Sequence, residues 1–161
     1  MKGVYTLVIH VKKSLEIKVG RLGHFSIKKG MYFYTGSAMG KGACSLEGRL
    51  KRHYRKKKKP FWHIDHVLQR KDAHAIWVVC STTVRSLECE VNKKLRERMQ
   101  VAFPIKGFGS SDCECESHFA LLDGSAGIRD VLRVLSITYQ ACGLRPMLWN
   151  PKSGFLPVIL C

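Results

Sequence analysis

The chain has 161 residues, 45% of them hydrophobic and 25% charged, enough for one domain with a buried core and too little for two of ordinary size. Its longest apolar stretches, Ala75–Cys80 and Leu156–Cys161, are strand-sized and fall well short of the roughly 18 residues that cross a bilayer, so no membrane span is expected. Met1–Tyr5 leads directly into an alternating segment, without the apolar stretch of a secretory signal, and the seven cysteines are an odd number. A cytoplasmic protein with reduced thiols and no structural disulfide is expected.

Lys and Arg number 28 against 12 Asp and Glu, for a formal charge of +16. The excess is uneven, with +14 in residues 1–70 and +2 in residues 71–161. It is densest from Arg49 to Lys59, where eight of eleven residues are basic: Arg49, Lys51, Arg52, Arg55, Lys56, Lys57, Lys58 and Lys59. Such a field draws a polyanion through phosphate contacts and counterion release, so nucleic acid is the expected partner and Lys51–Lys59 its expected contact strip. A solvated helix end or an import signal reads the same way, and charge alone names no reaction.

Tyr5–Val11 is rich in β-branched residues and predicts a strand. Glu16–Val19 and His24–Ile27 flank Gly20-Arg21-Leu22-Gly23, which is hairpin chemistry, and Met31–Thr35 predicts a further strand closed by Gly36; together these form a small antiparallel sheet. Ser45 offers an N-cap oxygen to a helix that begins at Leu46 and ends at Pro60. At about 100° per residue, Arg49 and His53 share an edge of that helix and can reach one site. Phe61–Leu68 predicts a short second helix, and His74–Cys80 a buried strand. Val84, Leu87, Val91 and Leu95 recur at helical spacing up to about Met99 and predict a third helix. With Val84 as zero, Leu87, Val91 and Leu95 fall at about 300°, 340° and 20°, Glu88 at about 40° beside that stripe and Glu90 at about 240°, outside it. Glu88 therefore needs a cation, a metal or a hydrogen-bond donor, a salt bridge to a core-edge Arg being the plain alternative. The fold class expected is mixed α/β (α+β), a small antiparallel central sheet with flanking helices.

Gly3-Val4-Tyr5 and Tyr34-Thr35-Gly36 on strands, Arg49 and His53 on one helix edge and an inward Glu88 on a later helix together resemble the GIY-YIG nuclease superfamily. The wording Tyr34–Ala38, Trp62–Asp65, Glu88–Glu90 and Gly107–His118 is similar to a little-characterised microbial branch of it that occurs alone or joined to base-excision repair enzymes. The resemblance covers residues 3 to 122. It implies a DNA endonuclease acting in repair or processing, with one Mg2+ (or Mn2+) held by Glu88. It further implies Tyr5 as general base, Tyr34 positioning water and phosphate, Arg49 stabilising charge, and His53 beside them. A base-excision repair enzyme is the protein partner it implies. As a base, Tyr5 would need its pKa lowered by Arg49 and the metal. The 28 residues between Tyr5 and Tyr34 exceed the usual short hairpin and read as an insertion.

Cys113, Cys115 and His118 could offer two thiolates and an imidazole to zinc, though the spacing is tighter than common fingers and no close fourth ligand is evident; the alternative is a turn closed by Asp112 and the thiols. Tyr32 shares the face of Tyr34 and could be confused with it. Trp62 suits a core position or a stacking platform, His63 and His66 a surface, and Asn92 has no assigned role. The domain boundary is expected at residue 122, followed by a helical and irregular extension over 123–161 in which Ile128, Leu132, Leu135 and Tyr139 keep helical spacing. The rival readings are a DNA- or RNA-binding module without turnover that tethers a repair partner, and an RNA- or ribosome-associated protein.

Overall fold

β1 (Gly3–Val11) is buried at every residue except His10, a pattern that an antiparallel strand shows only when both faces of its sheet are covered. The structure is a computed structural model, and it describes residues 1–159. Among the described residues β1 is followed by β2 (Leu15–Val19), β3 (Gly23–Ile27), β4 (Gly30–Ala38), α1 (Leu46–Tyr54), α2 (His63–Leu68), β5 (Ala73–Thr82) and α3 (Glu88–Arg98). Then come β6 (Val101–Ala102), β7 (Phe119–Leu122), α4 (Ile128–Ala141), β8 (Met147–Asn150) and β9 (Gly154–Pro157). Seven of these strands form one antiparallel sheet in the order β6-β7-β4-β1-β5-β8-β9. The mixed α+β class and antiparallel sheet expected from the sequence are those observed, with more strands.

The period-two alternation of β1 sorts its side chains into two cores. Tyr5, Leu7, Ile9 and Val11 join Tyr32, Tyr34 and Cys80 on one face, beneath Leu46, Leu50, Ile64 and Val67 from α1 and α2. Val4 and Val8 join Phe33 and Val79 on the other, beneath Val91 and Leu95 of α3 and Val131, Leu135 and Tyr139 of α4. The β2–β3 hairpin does not extend the sheet as expected. It pairs only with itself and lays Ile17, Val19 and Ile27 on the first core, with its turn carried by Gly20 and Gly23 at φ 46° and 110°.

Ser45 caps α1 as its sequence implies, accepting from the Gly48 N–H at 3.2 Å. The helix ends at Tyr54, six residues before Pro60, because Lys58 folds back and donates to the carbonyls of Arg52 and His53 at 2.9 and 3.5 Å, filling acceptors that a helix end leaves open. α3 starts at Glu88 rather than Val84. Thr83 Oγ1 accepts from the Arg85 N–H at 3.1 Å, a local turn that competes with helix.

The segment beyond residue 122 adds α4 to the second core and β8 and β9 to the same sheet, so what was expected to be partly irregular carries two strands. Of the apolar end Leu156–Cys161, residues 160 and 161 lie outside the described residues. The Tyr139 hydroxyl ties α4 to the sheet, donating to the Val79 carbonyl at 3.1 Å with Thr6 Oγ1 also at 3.1 Å and Thr35 Oγ1 beyond that. Tyr139→Phe therefore removes the terminus of a buried hydroxyl chain, and urea unfolding is expected to show a loss of about 1 kcal/mol; an unchanged midpoint would mean α4 is held by apolar packing alone.

Candidate functional site

Register places the site. Tyr5 on β1 stands opposite Gly36 on β4, and a Cβ at residue 36 would sit 2.7 Å from the Tyr5 hydroxyl, so the phenol can lie over β4 only because residue 36 has no side chain. Pairing of β4 with β7 stops at Tyr34 opposite Phe119, followed by one bond from the Thr35 N–H to the His118 carbonyl at 3.1 Å. Beyond that point a cleft of about 250 Å³ opens, lined by Tyr34, Gly36, Ser37, Arg49, Trp62, His63, Glu88, Gly109, Asp112 and His118 among others.

Of the five residues expected to act together, Tyr34, Arg49 and Glu88 line the cleft, whereas Tyr5 and His53 do not and lie buried beside it. The Tyr5 hydroxyl and His53 Nε2 share a hydrogen bond at 2.8 Å, and both rings lie near Tyr34, with centroids 6.5 and 6.3 Å away. Burial pushes the Tyr5 phenol up to about 12, the opposite of what a base requires, since desolvation outweighs the nearby Arg49. Tyr34 is raised well above the ordinary value for the same reason. His53 falls to about 3, through burial first and then the positive charge of Lys58. Both phenols therefore keep their protons at neutral pH, and His53 is uncharged.

Arg49 is held by a bond from its Nη1 to the Ser37 carbonyl at 2.6 Å and by the Trp62 ring 4.5 Å beneath its guanidinium carbon. Its Nε is buried and unpartnered. Trp62 thus serves as a platform for cations, with Arg52 at 5.1 Å as well. Across the cleft, Glu88 opens α3, where the helix dipole favours a carboxylate. Its Oε2 is shut off from solvent and has no hydrogen-bond partner, so the donor or cation that its sequence position calls for is not supplied by the protein.

The basic strip is only partly available to a polyanion. Arg52 and Lys58 reach the fully buried Asp65 at 2.8 and 3.0 Å, and Lys56 Nζ donates to the carbonyls of Leu68, Arg70 and Ala73. Lys51 pairs with Glu47 at 2.9 Å. Arg55, Lys57 and Lys59 remain exposed with their charges turned to solvent. Burial alone would raise Asp65, but the N–H groups of Phe61 and Trp62 and the two cations overcome it and hold the carboxyl at about 2. Tyr32 is a structural residue, donating to the Lys28 carbonyl at 2.7 Å and stacked on Phe119.

The remaining wall comes from residues 107–118. Gly109 has φ 70°, and a Cβ there would meet Tyr34 Cε2 at 2.8 Å, while its N–H donates to His63 Nδ1 at 2.9 Å. Asn92, which had no role assigned, donates from α3 to the Ser117 carbonyl at 2.9 Å. Between these anchors Cys113, Cys115 and His118 meet Cys89 of α3, and the four ligand atoms all lie within 4.8 Å of one another, an arrangement that could hold a metal ion. The fourth ligand missing from the sequence reading is Cys89, the residue next to Glu88. No local spacing signals it, because only the packing of α3 on the loop brings the two together.

His53 gives this site a stability signature. An imidazole at about 3 when folded and about 6.5 when unfolded takes up its proton preferentially in the unfolded chain, so its contribution is complete above pH 6.5 and is lost as the pH falls toward 3. Urea unfolding at pH 7 and pH 5 is expected to show wild type losing about 2 kcal/mol more than His53→Gln, and equal losses would mean that His53 is accessible to protons in the fold.

No curated protein and no solved structure matches the chain. The likeness to GIY-YIG nucleases drawn from short blocks does not stand: the family that matches is a different one, and the Gly107–His118 block that carried much of the likeness folds into a thiol–imidazole cluster suited to a metal. Over residues 4–139 the sequence matches the domain of unknown function DUF123, and the chain belongs to that family.

Proposed function

We propose that the cleft binds and hydrolyses a phosphodiester of nucleic acid, DNA before RNA, with a divalent cation at Glu88. The observation that carries this reading is the pairing, in one small polar cleft, of a solvent-excluded carboxylate oxygen lacking a donor with an oriented guanidinium. A phosphodiester supplies what both lack: an anion for Arg49 and, with a hydrated cation, a neutralising charge for Glu88. Glu88, with Asp112 also lining the cleft, fits Mg2+ or Mn2+, which take one or two carboxylates and complete their shell with water and phosphate. Such a cation, when bound, supplies charge neutralisation and a more acidic water.

The chain's own groups then divide the work. Arg49, fixed by Ser37 and Trp62, stabilises charge gathering on the phosphate oxygens. Tyr34, protonated and at the cleft wall, donates a hydrogen bond to a non-bridging oxygen. Tyr5 and His53 support Tyr34 from behind as a neutral pair. Arg55, Lys57 and Lys59 hold the strand beyond the cleft through charge. A pure binding surface would gain nothing from an orphaned carboxylate in a chain of charge +16, which is why hydrolysis is favoured over tethering.

The test is cleavage of end-labelled duplex, forked and abasic DNA and of a matched RNA, with and without Mg2+. Magnesium-dependent products are expected from wild type, falling by about 100-fold or more in Glu88→Gln and Arg49→Ala while far-ultraviolet circular dichroism is unchanged. Binding without products from any substrate in wild type would replace hydrolysis with a tethering module.

A further inference from the structure

The four ligand atoms of Cys89, Cys113, Cys115 and His118 stand apart from the carboxylate chemistry of the cleft, and their donor types differ from anything Mg2+ would choose. Hard cations take oxygen, whereas thiolate with imidazole selects zinc among the common divalent ions. Geometry narrows the choice. In a tetrahedron with Zn–S about 2.3 Å and Zn–N about 2.05 Å, the sulfur–nitrogen edges are about 3.6 Å long. Here His118 Nε2 lies 3.5 Å from Cys113 Sγ and 3.7 Å from Cys89 Sγ, and the complete set lies within 4.8 Å. A single Nε2 flanked by two sulfurs at that spacing is a poor hydrogen-bonding arrangement and a good coordination edge.

The surroundings agree. The Thr35 N–H of β4 donates to the His118 backbone carbonyl at 3.1 Å, which fixes the backbone that carries the imidazole. The three cysteines are half-buried and His118 is buried, so little water reaches the centre. Both segments that deliver ligands, α3 and the 107–118 loop, are pinned independently of any ion, by Asn92 to the Ser117 carbonyl and by the Gly107 N–H to the Glu116 carbonyl at 2.7 Å. Four protein ligands leave no open position, which marks a structural site rather than a catalytic one.

We propose that this chain carries a structural Zn2+ bound by Cys89, Cys113, Cys115 and His118, clamping the first turn of α3 to the loop that walls the cleft. The ion is independent of the hydrolytic reading and stands or falls on metal content alone. Its consequence is nonetheless local to the cleft: Glu88 precedes one ligand, and His118 is both a ligand and part of the cleft wall.

The full chain, purified under reducing conditions without added metal, is assayed by inductively coupled plasma mass spectrometry. About one zinc per chain is expected, with zinc at least about tenfold lower in Cys115→Ser and retained in Cys115→His, which keeps four ligands. Cobalt loading of the wild type is expected to give intense tetrahedral d–d bands and thiolate charge transfer that Cys115→Ser lacks. Should Cys115→Ser fail to fold, titration of wild type with an organomercurial decides instead, zinc leaving in step with three protected thiols. Reduced wild type that takes up no zinc when offered it, holds iron in its place, or is isolated with Cys113 in a disulfide overturns the proposal, as does zinc that persists undiminished in a folded Cys115→Ser.

Discussion

Asp65 is the fixed point around which the basic face of this chain folds. Among the described residues it is the one fully buried carboxylate, and it meets Arg52, Lys58 and the N–H groups of Phe61 and Trp62. In a chain of charge +16 those cations would otherwise repel one another at the end of α1. Breaking such a pair from one side strands the opposite charge and costs several kcal/mol, so the arrangement is self-enforcing once formed. It also sets the position of Trp62, whose ring carries Arg49, while His53 close by is kept neutral first by its burial, with Lys58 adding to the effect and Asp65 opposing it. The placement of the cleft's cation thus descends from one buried carboxylate that lies outside the cleft.

Desolvation governs the other titratable groups. Tyr5, Tyr34 and His53 cluster where β1 and β4 turn their side chains to the first core, and burial moves each toward its uncharged form. A net positive neighbourhood was expected to lower Tyr5, but charge acts through distance while burial acts on the whole group, and here burial is the larger. The site therefore separates into a neutral set, Tyr5 and His53 behind the wall and Tyr34 on it, and charged side chains that line the cleft, Arg49 and Glu88 among them. Glycines make that wall possible: Gly36 admits the Tyr5 phenol and Gly109 the edge of Tyr34.

What the sequence made legible follows the range of the forces involved. β1, β4, β5, α1 and the apolar stripe of α3 were readable because alternation, capping and helical period are properties of a few adjacent residues. The strands β8 and β9 were not, since four residues each among Pro146, Pro151 and Pro157 carry no period, and the pairing of β8 with β5 and of β9 with β8 is what makes them strands. The inward bias of Glu88 was legible as an angle, and its lack of a donor was not. The division of the basic strip into internal and free cations required Asp65 and the carbonyls around Lys56 to be in place. Short blocks shared with a nuclease superfamily fitted the order of elements, yet the same letters Cys113, Cys115 and His118 take their meaning from Cys89, 24 positions before Cys113.

If both proposed ions bind, the adjacency of Glu88 and Cys89 accounts for how one chain could serve two cations of opposite character. Successive residues of a helix project about 100° apart, so a carboxylate aimed into the cleft necessarily leaves its neighbour aimed around the side of α3, where the 113–118 loop lies. Hard oxygen donors and soft sulfur donors are then one peptide apart without sharing a ligand, so the two proposed ions would not compete for one site. The first turn of a helix is ordinarily its most frayed part. Here it carries the cleft's unpaired carboxylate, and the Cys89 contact with the loop, reinforced by Asn92 a turn further on, gives that carboxylate a fixed origin. A carboxylate that must hold its place at the start of a helix needs such an anchor, and the residue immediately after it is the position from which an anchor disturbs the cleft least.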